Sequence, residues 1–370
     1  MFRKITLLSG LAILGVVINH ASGWGYTALF AWTDRYLPVT VPNYDLFGSS
    51  GYYLSLIFLR ISSFAVPAFL FTSGAFLAYA LRGSKNGKLS WQMLKNRIGN
   101  LLIPYIIWSF IALIYIFMLG DRSSLTNVIQ MFFTSGIVGP YYYVPLLVYL
   151  ILLSPFLVPL AKNHPAILLI VTGAIQFGLS ILHTRAAFGM QPSNMNWLLN
   201  LTPDWSVPRW IFFYCFGLVA GIFQDSWSNI LPRFKWPLLF LTILSAGILI
   251  FESDTSFKIL GWDGYNIVSR YSFNFYGLFF IAFFLSINSV PGFITKLLNK
   301  LAFKSMGIYL IHFLAMGLAA KFIYRYFPWL LTKQLLFQIC LLTIGLGIPL
   351  AIMQVLTKSS LRKYFRFVFG

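Results

Sequence analysis

Apolar runs separated by short polar joints divide this chain from one end to the other. Ten can be drawn, at about 5–22, 52–81, 98–119, 141–161, 165–182, 208–224, 236–252, 270–288, 304–325 and 334–356. Each is close to or above the length that crosses the hydrocarbon core of a bilayer as a helix. The stretch 123–134 reads as a short interfacial helix. Joints such as Gly139-Pro140 and Ser289-Val290-Pro291-Gly292 punctuate the loops. No internal repeat of fixed period is evident. The pattern predicts an all-α polytopic membrane helical bundle of about ten transmembrane helices. Residues 1–356 form one transmembrane domain in this reading, and 357–370 a basic cytoplasmic tail.

Composition strengthens the reading. The chain of 370 residues is 59% hydrophobic and only 9% charged, far from the roughly 25% charged residues of soluble domains. Arg3 and Lys4 precede the first run, as in a cleaved signal. However, that run is long enough to span, and His20-Ala21-Ser22-Gly23 is a poor small-residue cleavage site, so a retained helix is expected. Cys215 and Cys340 lie inside apolar runs without metal or disulfide spacing and read as small buried residues.

The net charge of +19 raises nucleic acid as a partner, and its distribution argues against one. With the N-terminus in the cytoplasm, the inner segments hold Arg3, Lys4, Arg82, Lys85, Lys88, Lys95, Arg97 and Lys162. They also hold Arg233, Lys235, Lys296, Lys300, Lys304, Lys358, Arg362, Lys363 and Arg366. These are 17 of the 27 basic residues, and seven of the 8 acidic ones fall outside. Cations in short inner loops set topology and meet anionic headgroups, so both termini are expected in the cytoplasm. The tail sequence LRKYFRFVF mixes cations with aromatics and suits an amphipathic anchor on the inner leaflet.

Few ionisable residues fall within the runs: His20, Arg60 and His312, with Arg209 and Arg270 at the starts of theirs. A charge at membrane depth is costly and points to function by default. His20 closes the first run, SGLAILGVVINH, about 15 residues or roughly 22 Å beyond Ile5. It is either a functional group near the outer face or a histidine solvated at a helix end. Arg60 cannot be neutralised and needs an anionic or carbonyl partner, structural or substrate. His312, in SMGIYLIHF, is either held by a neighbouring helix or catalytic. No carboxylate lies well inside a run, which argues against a proton- or cation-coupled transporter. The outer loops 23–50 and 183–207 are rich in Trp, Tyr, Asn and Pro. They suit either an interfacial aromatic belt or a vestibule for sugar rings. Neither a phosphate-binding glycine loop nor a nucleophile elbow is present.

Taken together these segments resemble the acyltransferase-3 family of integral membrane acyltransferases. SGLAILGVVINH is similar to its opening helix, which ends in the proposed catalytic histidine, here His20. RISSFAVPAFLFTSGAFL resembles its second-helix pattern, with Arg60, Pro67, Ser73 and Gly74. KNRIGNLLIPYIIWSF is similar to the next, with Lys95, Arg97, Pro104, Tyr105 and Trp108. YYYVPLLVYLILLSP, RWIFFYCFGLVAG and KSMGIYLIHF resemble later helices, with Tyr143, Arg209, Gly217, Gly221, Tyr309 and His312. Two departures stand out. Ser9 occupies a position where the family often has an arginine thought to help hold the acyl donor. Tyr141-Tyr142-Tyr143 stands where tryptophan is common.

The resemblance implies transfer of an acetyl or succinyl group from cytoplasmic acyl-CoA, a donor substrate, to a hydroxyl of a cell-surface or lipid-linked carbohydrate. No bound cofactor and no metal are implied. His20 and Arg60 are the expected catalytic residues. Lys95, Arg97, Tyr105, Trp108, Tyr143, Arg209, Tyr309 and His312 are expected to bind donor or substrate. The expected partners are acyl-CoA, a carbohydrate acceptor and membrane lipids, with no nucleic acid and with an oligomer left open. A bacterial plasma (inner) membrane is the expected location. Two alternatives stay open: a glycan or lipid-linked-intermediate flippase without acyl transfer, and a catalytically lapsed family member.

Overall fold

A computed structural model describes residues 1–83, 89–118, 120, 123–261 and 271–370. Lys85, Lys88 and Arg270 lie outside the described residues. Those described are almost entirely helical, with no strand among them. In chain order the helices are α1 (Phe2–Tyr26), α2 (Ser50–Ile61), α3 (Ala65–Arg82), α4 (Trp91–Met118), α5 (Leu125–Phe133), α6 (Tyr143–Asn163), α7 (Pro165–Ala187) and α8 (Asn196–Leu201). They continue with α9 (Ile211–Ile222), α10 (Gln224–Ile230), α11 (Lys235–Leu260), α12 (Tyr271–Ser286), α13 (Gly292–Ala302), α14 (Ser305–Tyr326), α15 (Gln334–Lys358) and α16 (Phe365–Phe369). Eight helical segments among the described residues are long and apolar enough to cross a membrane. The shorter apolar helices α9 and α12 coincide with two further expected spans.

The first helix is central. α1 packs against α2, α3, α13, α14 and α15, and most of its residues between Ile5 and Val17 are buried. Gly10 lies against the Leu298 carbonyl of α13, where any Cβ would overlap that oxygen. α13 falls in what the sequence reads as a joint. Its pattern is helical all the same: Ile294, Leu298 and Leu301 face α1 or the core, and Lys296 and Lys300 lie elsewhere on the turn.

The most extensively packed pair of helices among the described residues is α3 and α9. Gly74 of α3 meets the Tyr214 carbonyl, and Gly217 of α9 meets the Phe71 carbonyl. Neither position has room for a Cβ, and Gly221 continues the seam against Ala75 and Ala78. Small residues at such spacing let helix backbones meet in lipid, where no hydrophobic effect drives association. Gly217→Val is therefore expected to destabilise by about 1–3 kcal/mol, the usual cost of overpacking. Thermal melting in detergent would show the drop, and an unchanged midpoint would mean that the seam opens freely.

The feature that shapes the interior is a break between α2 and α3. The run 52–81 reads as one span, yet Ser62–Phe64 form a 3-10 turn between the two helices. Pro67 accounts for it, since it cannot donate to the carbonyl four residues earlier and its ring crowds that oxygen. Irregular backbone at membrane depth needs its polar groups satisfied from within the protein. Here side chains do this. Asn19 Nδ2 donates to the Leu59 carbonyl at 2.8 Å, Ser62 Oγ to the same oxygen at 3.1 Å and Ser63 Oγ to the Arg60 carbonyl at 2.7 Å. Tyr276 of α12 donates to the Ile61 carbonyl at 2.6 Å. Phe64 stacks on Phe280 at 3.8 Å.

At the far end of α1, a π-turn (Thr27–Ala31) leads into a dense aromatic cluster. Tyr26, Phe30, Tyr52 and Phe257 are fully buried against Tyr44 and Phe47. These aromatic faces are occupied by one another, so in residues 26–52 they make a packed cap instead of an open stacking surface. Tyr52 also donates to Asp254 at 2.8 Å, tying the cap to α11. The interfacial helix expected over 123–134 is α5, capped by Ser124, with Leu125, Ile129 and Phe133 exposed.

Both termini lie at the other end. Phe2 and Met306 line one cavity, and Gly370 sits beside Met306. The tail does not simply lie flat. α16 docks on the bundle through buried Phe369, and Arg366 donates to Asn100 Oδ1 at 3.0 and 3.2 Å. Leu361, Tyr364 and Phe367 remain exposed beside its cations.

Candidate active site

The two histidines meet inside the bundle. The His20 and His312 rings are 5.3 Å apart between centroids, although the residues are almost 300 positions apart in sequence. Phe313 and His20 meet edge to face, also at 5.3 Å. His20 makes no side-chain hydrogen bond among the described residues and is half-buried, facing a cavity of about 250 Å³. The cavity is walled by α1, the α2–α3 break, the turn before α6, α14, and Trp210 and Phe273.

Arg60 lines the same cavity and is only 7% exposed. Its position follows from the break: α2 ends one residue later, so its last turn and the N-terminal end of α3 both open on the cavity. Arg60 thus sits where the C-terminal end of α2 meets the N-terminal end of α3. Asn19, Ser62 and Ser63 complete this wall. Asn19 carries no role in the sequence reading, although an amide in an otherwise apolar helix must bond something, here the broken backbone.

A second cavity, of about 360 Å³, lies toward the termini. Ser9, Thr6 and Phe2 of α1 line it, with Phe76, Phe303 and Met306. None of its lining side chains is charged. Ser9 Oγ donates to the Thr6 carbonyl at 2.8 Å. Phe69, Tyr143 and Tyr309 line both cavities and so form the waist between them. The waist is pinned: Tyr309 donates to the Pro140 carbonyl, Tyr141 to the Leu310 carbonyl, and the Tyr143 hydroxyl is 3.2 Å from Ser73 Oγ.

The other expected site residues fall in different places. Arg209 is buried and paired with Asp204 at 2.8 Å, and Trp210 Nε1 donates to the Asp204 carbonyl at 2.6 Å. Arg209 does not line the cavity, but it fixes the turn that places Trp210 there. Tyr105 donates to the Phe132 carbonyl at 2.8 Å, holding α5. Trp108 Nε1 donates to the Val368 carbonyl at 3.0 Å, holding the tail. Lys95 is exposed, and Arg97 is one turn before Leu101, a wall of the second cavity. Among the described residues no cluster of histidine, cysteine or carboxylate could hold a metal ion.

The family described as an acyltransferase domain matches residues 2–354, nearly the whole chain. This chain belongs to that acyltransferase family. With its apolar helices, it is an integral multi-pass membrane acyltransferase. No curated protein and no solved structure matches it. The match ends before the docked tail. It includes His20, Arg60, the waist and His312, so every wall of the two cavities lies within the acyltransferase domain.

Proposed function

We propose that this acyltransferase moves an acetyl or succinyl group from cytoplasmic acyl-CoA to a hydroxyl of a cell-surface or lipid-linked carbohydrate. The observation that carries this reading is His20 and Arg60 in one cavity, joined through an aromatic waist to a second cavity at the termini end. In this reading the termini face the cytoplasm of a bacterial inner membrane. The donor approaches past Arg97 and Lys95, its pantetheine arm occupies the uncharged second cavity, and its thioester passes Tyr143 and Tyr309. The acceptor reaches His20 from the opposite side.

Transfer needs a hydroxyl to lose its proton as its oxygen bonds the thioester carbonyl carbon, and the carbon–sulfur bond then breaks. His20 takes the proton and returns it to the leaving thiolate, or carries the acyl group transiently on a ring nitrogen. Arg60 stabilises the oxyanion that forms on the carbonyl oxygen. No metal and no bound cofactor enters these steps.

Liposomes containing the purified protein and acetyl- or succinyl-CoA labelled in the acyl group test the reading. Label should move to a glycan acceptor as free coenzyme A appears. Unmodified glycan crossing the bilayer with no donor consumed would establish a flippase instead.

Ser9 provides a further test of the donor path. Ser9→Arg would place a guanidinium in the second cavity, which has room for it. One charge-assisted hydrogen bond to the donor should lower the KM for acyl-CoA about tenfold. An unchanged KM would mean that the donor does not pass Ser9.

A further inference from the structure

His312 is fully buried and lines neither cavity. Its Nδ1 lies 2.7 Å from the Tyr309 carbonyl oxygen and 3.0 Å from that of Ile308. Carbonyl oxygens only accept, so Nδ1 carries the proton. The neutral ring then has a bare lone pair on Nε2. That atom is buried and has no hydrogen-bond partner among the described residues. Leaving a buried acceptor empty is costly, so its retention calls for an explanation.

The neighbouring ring supplies one. The ring centroids are 5.3 Å apart, near enough that turning the His20 ring brings one of its N–H groups within hydrogen-bond reach of that lone pair. Phe313 limits the swing of His20 on another side. His20 has one N–H to give when neutral and no other side-chain partner among the described residues.

We infer that His312 is the positioning residue of His20: its Nε2 accepts the His20 N–H and leaves the other His20 nitrogen, with its lone pair, facing the cavity. His312 touches no reacting atom. It selects the tautomer and orientation of the group that does, the part a carboxylate plays toward histidine in a hydrolase triad. Such a partner strengthens its neighbour both as a base and as a nucleophile, so the inference holds for either role of His20. It rests on the proposed function for its consequence, but the histidine pairing itself can be read without turnover.

The test uses full-length protein in lipid with 15N-labelled histidine. In the wild type the His20 ring should show a single neutral tautomer by solid-state NMR, and in His312→Ala a mixture. His20 as the same single tautomer in both proteins would overturn the inference, whether or not the protein transfers acyl groups. Turnover gives the second readout. His312→Ala should lower kcat about 10–100-fold with KM changed less than twofold. Gln, whose side-chain oxygen can stand near the Nε2 position, should recover most of the loss, and Asn, which is too short, should not. If Gln and Asn are equally poor and KM rises for both, His312 is structural. Should the alanine variant fail to fold, the Gln–Asn pair decides. An active His20→Ala variant would sink the catalytic reading of the cavity without affecting the tautomer result.

Discussion

His20→Ala should lower acyl transfer by about 10³-fold, within the range that a positioned acid–base group contributes. The fold should survive, because the His20 side chain makes no hydrogen bond among the described residues and its neighbours Ala21 and Val17 carry the packing of that turn. Donor affinity should change little, since the second cavity is lined by other residues of α1. The loss should therefore fall on kcat, as expected for an interaction made in the transition state. Initial rates in liposomes across a range of acyl-CoA concentrations, with a melting curve on the same preparation, measure both. Turnover within tenfold of the wild type would remove His20 from the chemistry and leave it a lining residue.

Much of this arrangement is legible in the chain because lipid imposes severe rules. Hydropathy locates the helices, and the scarcity of ionisable residues inside them isolates His20, Arg60 and His312 as the ones to explain. What the pattern hides is pairing at a distance. Nothing in SMGIYLIHF says that its histidine faces the one in SGLAILGVVINH, because both helices are apolar almost all round. The loop aromatics illustrate an ambiguity of composition. Tyr, Trp and Phe can stack on a sugar or on each other, and composition cannot tell which. In residues 26–52 they stack on each other. Tyr105 and Trp108 sit in a motif of the family, yet their polar atoms hold α5 and the docked tail. Those contacts join segments that hydropathy treats as separate.

The α2–α3 break shows how local chemistry becomes site geometry. The 3-10 turn interrupts the α-helical ladder, the carbonyls of Leu59, Arg60 and Ile61 accept from Asn19, Ser62, Ser63 and Tyr276, and the turn so fixed places Arg60 on the cavity wall. Asn19 is adjacent to His20, so one short stretch of α1 both secures the break and presents the histidine. The two expected catalytic groups are thus held in register by the same few hydrogen bonds.

Arg60→Gln should reduce kcat by about 10²–10³-fold, the loss seen when one donor to a developing oxyanion is removed. Arg60 is buried, so the guanidinium acts at low dielectric, where a fixed charge counts for more than at a surface. Arg60→Lys should recover little. Lysine keeps the charge but replaces a planar fork of donors with a single mobile point, and it reaches less far from the α2 backbone. The effect should also depend on the break. Asn19→Ala would leave the Leu59 carbonyl with Ser62 as its remaining side-chain donor and loosen the turn. It should therefore lower kcat in the wild-type background and add little to Arg60→Gln. Rates for the two single variants and the double variant form the decisive cycle. Full additivity would show that the turn and the guanidinium act independently. A lysine variant as active as the wild type would show that charge alone, without the fork, meets the need at this wall.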